Sequence, residues 1–119
     1  MRNFEDLRVW QAAHQLTLDV YRISKQVPGD ERYELRSQVV RAVVSIEANI
    51  AEGCGRSGAA EFSRFLHIAM GSASELEYHL LLARDLQILD NGSYSALSSE
   101  TIEVKRMITA LIQKLKADS

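Results

Sequence analysis

Three breaker-rich stretches cut this chain into four segments, and every segment carries apolar residues at helical spacing. The stretches are Pro28-Gly29-Asp30, Gly53-Cys54-Gly55-Arg56-Ser57-Gly58 and Asp90-Asn91-Gly92-Ser93. Each joins a helix breaker to a residue suited to cap the next helix, namely Asp30, Ser57 and Ser93. Asn3 is placed to cap the first segment, with Glu5 and Asp6 in a first turn whose dipole favours acids. In that segment Val9, Ala13, Leu16, Val20, Ile23 and Val27 recur at steps of four and three. Leu35, Val39, Ala42, Ile46 and Ile50 do nearly the same in the second. Phe62, Phe65, Ala69, Ala73, Leu76, Leu80 and Ala83 mark the third, and Tyr94, Leu97, Thr101, Val104, Ile108, Leu111 and Leu115 the fourth.

A step averaging about 3.5 residues belongs to helices that cross at shallow angles. No segment sustains the period-two alternation of a strand. The expected fold is therefore all-α, an antiparallel up-and-down four-helix bundle, with helices over residues 4–27, 31–53, 58–88 and 94–117. With 119 residues, the chain suits one domain over 1–119 and buries a core of useful size. A hydrophobic share of 46%, one proline and six glycines exclude disordered, collagen-like and low-complexity classes.

The first helix carries more apolar surface than one seam requires. Leu7, Trp10, His14, Leu18 and Tyr21 form a second stripe offset from the first. Two readings are open: a wide core face with a partly exposed Trp, or a subunit interface. The second is favoured, because a helix in a monomeric bundle keeps a polar back.

The second and third helices place polar residues where a bundle is normally apolar. Ser45, Asn49 and Glu52 share one helical face, as do Arg64, Gly71 and Glu75, with Ser72 alongside. The structural expectation is a close helix pair stitched by hydrogen bonds, with Arg64 paired to Glu52 or Glu75, and with close approach offsetting the cost of mid-helix Gly71. The functional alternative is a small-molecule pocket built from the same groups.

Several chemical signals fail on context. Gly53 to Gly58 matches G-x-G-x-x-G, but a helix precedes it where a dinucleotide fold needs a strand. A helix–helix turn is the better account, with Gly53 as C-terminal cap and Gly58 freeing the next start. Arg56, near the start of the third helix, remains a candidate anion contact. Ferritin-like di-iron bundles need facing Glu-x-x-His elements, and there are none. Glu75 and His79 lie one turn apart without a second cluster, while His14 and His67 sit among apolar neighbours. Cys54 has no histidine close in sequence to serve as its base. No metal, no cofactor and no enzymatic activity are expected.

Fourteen basic residues face sixteen acidic ones, a formal net charge of −2, which argues against a dedicated nucleic-acid binder. The most basic face belongs to the last helix, through Lys105, Arg106, Lys114 and Lys116. A modest patch of this kind gains binding power when an assembly repeats it. One cysteine, no leader-like N-terminus and no long uncharged run suggest a soluble cytoplasmic protein without a membrane span.

The residue pattern is also familiar. Phe4-Glu5-Asp6-Leu7-Arg8-Val9-Trp10 is followed by Ala13-His14, Tyr21, Pro28, Glu31-Arg32, Leu35, Gln38 and Arg41-Ala42. Then come Ser45-Ile46-Glu47-Ala48-Asn49-Ile50-Ala51-Glu52-Gly53, Phe62, Arg64-Phe65-Leu66 and Ala69-Met70-Gly71-Ser72-Ala73-Ser74-Glu75-Leu76. This resembles the bacterial four-helix bundle proteins known as 23S ribosomal RNA intervening-sequence proteins, from about residue 3 to about residue 90. The chain departs from that pattern at Glu47, where the family often has proline. The resemblance implies a bundle that assembles as a homopentameric ring, with Asn49, Glu52, Arg64 and Glu75 as signature positions of structural role. Relatives include the accessory variability determinant of diversity-generating retroelements, which partners a reverse transcriptase and binds nucleic acid through basic surface. The resulting expectation is a non-enzymatic, oligomeric scaffold or adaptor linked to RNA or to a nucleic-acid enzyme. The alternative is direct RNA or DNA binding through a basic face repeated around the ring.

Overall fold

The computed structural model describes residues 3–27, 29 and 32–118. Pro28, Asp30 and Glu31, which carry the first expected break, cap and helix start, lie outside the described residues. Asn3 Oδ1 accepts the Glu5 amide at 3.1 Å and opens a single 3-10 turn, Phe4–Asp6. Four helices follow: α1 (Arg8–Ser24), α2 (Tyr33–Gly55), α3 (Ala59–Asp85) and α4 (Asn91–Asp118). Among the described residues there is no strand.

Each helix packs on its sequence neighbour, and α1 closes the square against α4. The short connections make neighbours antiparallel, and the molecule is a rod of 48 × 19 × 19 Å. The apolar spacing explains the core. Leu16 of α1, Ile46 and Ile50 of α2, Leu66 and Leu76 of α3 and Ile108 of α4 are all fully buried. Burying each such side chain contributes about 1.5–3 kcal/mol of transfer free energy. Two hydroxyls sit in this apolar interior, Thr17 and Thr101. Each donates back to the carbonyl one turn earlier, Ala13 at 3.0 Å and Leu97 at 2.7 Å, so neither leaves an unmet polar group. Cys54, near the end of α2, is also buried.

The helix ends depart from expectation in instructive ways. Gly53 is not a cap; α2 continues to Gly55 and Arg56 caps it. Gly53 instead marks a close approach of α2 to α3, since a Cβ there would stand 2.7 Å from the Phe65 Cβ. Gly58, not Ser57, caps α3, at φ +91°, a conformation that favours glycine. At the other end of α3, Gln87 takes a left-handed φ of 61°. The Ile88 amide donates to the Ala83 carbonyl and the Gln87 amide to Arg84, each at 2.9 Å, which is a Schellman termination without its usual glycine. Asp90, not Ser93, opens α4. Its carboxylate accepts the Ser93 amide at 2.8 Å and the Ser93 hydroxyl at 2.9 Å. Those bonds, the amide's first, hold the Asp90 carboxyl below its ordinary pKa.

Candidate functional site

The polar seam between α2 and α3 is partly assembled as expected. Ser45 and Ser72 hydroxyls meet across the helices at 2.8 Å. Asn49 Nδ2 donates to the Ser45 carbonyl at 2.8 Å and to its hydroxyl at 3.1 Å. All three side chains are half-buried. This trio stitches the two helices; the remaining polar residues do not join it.

Arg64 pairs with neither Glu52 nor Glu75. Its guanidinium binds Glu61 on its own helix, with Nε 3.0 Å from Oε2, while Glu52 takes Arg56 at 2.8 Å. A partner one turn away costs less side-chain ordering than one across the seam, so the local pair forms. The hydrogen bond from Arg64 is the main reason the Glu61 carboxyl lies below its usual range. Both guanidinium groups also lie over the Phe65 ring, Arg56 at 5.0 Å and Arg64 at 4.5 Å from its centroid. Phe65 is thus clamped by two cations on the outside and by Gly53 on the inside.

Gly71 and Glu75 point away from the seam and are exposed. A methyl on Gly71 would meet nothing within 4 Å, so close approach within this chain is not what offsets the cost of that glycine. His79 lies one turn beyond Glu75 on α3. It is half-buried beside the Tyr78 ring, with both ring nitrogens shielded and without a hydrogen-bond partner. Among the described residues no three His, Cys, Asp or Glu side chains converge on a metal-sized site.

The second stripe of α1 divides in two. Its N-terminal half is used within the chain. Phe4 packs edge-on to Trp10 at 4.9 Å, Trp10 stacks on His14 at 4.8 Å, and His14 Nδ1 reaches Glu47 Oε2 of α2 at 2.8 Å. Leu7 packs beside them against the core. A wide core face therefore describes this half. The C-terminal half remains uncovered: Leu18 is 50% and Tyr21 44% exposed. Alongside them on α2, Tyr33 is 64% and Val44 38% exposed. Sequence reading missed this α2 contribution, although Tyr33, Ser37, Val40 and Val44 recur at steps of four and three. The two helices frame an open groove of about 480 Å³, walled by Tyr21, Tyr33 and Val40 and edged by Lys25 and Arg36. Arg36 is fixed there by donating to the Val27 carbonyl at 3.1 Å and by lying over the Tyr33 ring.

The basic positions are more neutralised than their count suggests. Lys105 is bonded to Glu77 of α3, and Arg106 to Glu103 at 3.5 Å. Lys114 and Lys116 stand exposed towards the end of α4. No helix is long and apolar enough to cross a membrane among the described residues.

Fold and surface together define an all-helical, four-helix bundle whose distinctive exposed feature is an apolar groove between its first two helices. The chain belongs to the 23S rRNA-intervening sequence protein family, whose profile matches residues 5–110. Its fold is similar to the crystal structure of a protein of unknown function from the S23 ribosomal protein family of Bacteroides thetaiotaomicron VPI-5482. The TM-score is 0.82 at 23% identity, over 87% of this chain and 97% of that one. No curated protein sequence matches the chain.

Proposed function

We propose that this protein is a non-enzymatic, self-associating helical bundle that serves as a scaffold or adaptor in the cytoplasm, linked to RNA through a nucleic-acid enzyme or an RNA-bound partner. The observation that carries the reading is the uncovered apolar surface shared by α1 and α2, where Tyr21 and Tyr33 stand 44% and 64% exposed beside Leu18 and Val44. Contiguous apolar surface of this kind marks an interaction face. The family's name supports the RNA link. A homopentamer is what the resemblance in the sequence implies.

Size-exclusion chromatography with light scattering and dual 260/280 nm detection, at low and high salt, tests the reading. A mass near five chains without nucleic acid is the expected result; a clean monomer overturns it. Nucleic acid that co-elutes and is released by salt would instead assign direct binding. In that case replacing Lys105, Arg106, Lys114 and Lys116 by Gln lowers polyanion affinity if the α4 face is the contact. Unchanged affinity removes that face from consideration.

A further inference from the structure

The exposed side of α3 carries a ridge that the chain itself leaves uncovered. Gly71, Ser74, Tyr78, Leu81 and Asp85 recur at steps of three and four and are all exposed. Tyr78 is 59% and Leu81 38% exposed, so the lower half of the ridge is apolar. Carboxylates flank it. Asp85 is one, bonded to Arg84 of its own helix at 3.0 Å, and Glu75 is another that stands exposed. The α1–α2 groove is its complement: two tyrosines and Val40 form the walls, Lys25 and Arg36 supply positive charge, and no described carboxylate lines it. A cleft between two helices accepts a third helix that offers side chains at this spacing.

Position strengthens the match. Ile23 of α1 and Leu35 of α2 share one small apolar void with Leu80 and Ala83 of α3, so groove and ridge sit at the same end of the rod. They lie on different sides of it, because α3 sits diagonally across the square from α1 and its ridge faces solvent. A ridge and a groove on different sides cannot satisfy each other within a two-fold dimer contact.

Resting on the self-association reading above, we infer that the α3 ridge of one copy seats in the α1–α2 groove of the next, with Tyr78 and Leu81 between Tyr21 and Tyr33, and the ridge carboxylates facing Lys25 and Arg36. The contact is head-to-tail, the copies stand parallel, and each chain offers one ridge and one groove.

Two measurements test it. Purified Tyr33→Cys and Leu81→Cys proteins, both carrying Cys54→Ser so that the native thiol takes no part, are oxidised separately and as a mixture. The mixture should yield a covalent one-to-one pair, and neither protein alone should. Self-linking of either variant would overturn the head-to-tail pairing. In parallel, light scattering on Tyr78→Lys should show association weakened ~10-fold or more with helicity unchanged, because a buried aromatic anchor is replaced by a charge that faces Lys25 and Arg36. Wild-type protein that associates, with neither the mixed cross-link nor a loss in Tyr78→Lys, would sink this pairing and leave self-association standing. Wild-type protein that is monomeric at every concentration would sink both.

Discussion

His14 of α1 and Glu47 of α2 meet at 2.8 Å across the first helix pair. A carboxylate only accepts, so the imidazole Nδ1 carries the proton in this bond. Trp10 covers the ring from one side, which leaves the pair half-shielded from water. Glu47 is half-buried on α2. Here the residue ties α2 to the stripe that the sequence offered as an interface.

That pair sets the first expectation. Glu47→Ala should lower unfolding free energy by about 0.5–1 kcal/mol, the range for a partly exposed ion pair. A double-mutant cycle with His14→Ala, read from urea unfolding, should return a coupling of about 0.5 kcal/mol. Zero coupling would mean that this contact contributes nothing to stability.

Gly53 and Gly71, both within helices, should respond in opposite directions. Gly53→Ala places a methyl 2.7 Å from the Phe65 Cβ. Overpacking of that kind costs about 1–3 kcal/mol, more than the ~1 kcal/mol that alanine gains in helix propensity. Gly71→Ala meets open space, so the chain should keep the propensity gain of about 0.5–1 kcal/mol. Thermal melts of the two variants, compared at one low protein concentration, decide it; both shifting the same way would contradict the contrast.

Gln87 provides an independent check on backbone conformation. A residue with a side chain in the left-handed region carries a penalty of about 1 kcal/mol that glycine avoids. Gln87→Gly should therefore raise stability by about that amount in chemical denaturation, less the small entropic cost of a freer unfolded chain.

The pH dependence should come from the α1–α4 interface. Burial raises the Glu100 carboxyl to about 7, with the hydrogen bond and charge of Asp19 adding to it and Arg22 opposing. The folded state thus holds a proton that the unfolded state releases near pH 4.5. Linkage then makes this group's contribution full below about pH 4.5 and lost as pH rises through 7. Glu100→Gln should flatten the slope of Tm against pH between those values and leave the variant more stable than wild type at pH 8. An unchanged slope would show that Glu100 ionises freely in the fold.

Much of the architecture was legible because it follows from period alone. Val9, Ala13, Leu16 and Val20 are buried together, as are Ile46 and Ile50, since a helix stripe has only one core to enter. The ends were less legible. Gln87 stops α3 before the expected residue 88, and a glutamine in a left-handed turn gives no signal in sequence. Asp90 rather than Ser93 caps α4 because both are good capping residues three apart, and only the backbone decides which stands outside the helix. The polar cluster was half legible. Ser45, Asn49 and Ser72 meet because facing helices bring them together, whereas Arg64 chose Glu61, a nearer acid on its own helix. Gly53 and Gly71 look alike in sequence, and only packing separates the one pressed against Phe65 from the one open to solvent.

Cys54 gives this bundle a built-in clock. The single thiol is 4% exposed near the α2–α3 end and is shielded while that end stays closed. Its rate of reaction with a soluble disulfide therefore counts openings of the end rather than the chemistry of an exposed thiolate. When reclosing is faster than reaction, the ratio of the observed rate to that of an unfolded-chain thiol equals the fraction of time spent open. A time course of thiol modification, repeated across protein concentrations, would then tell whether assembly slows the breathing of the very end that holds Phe65 between its two arginines.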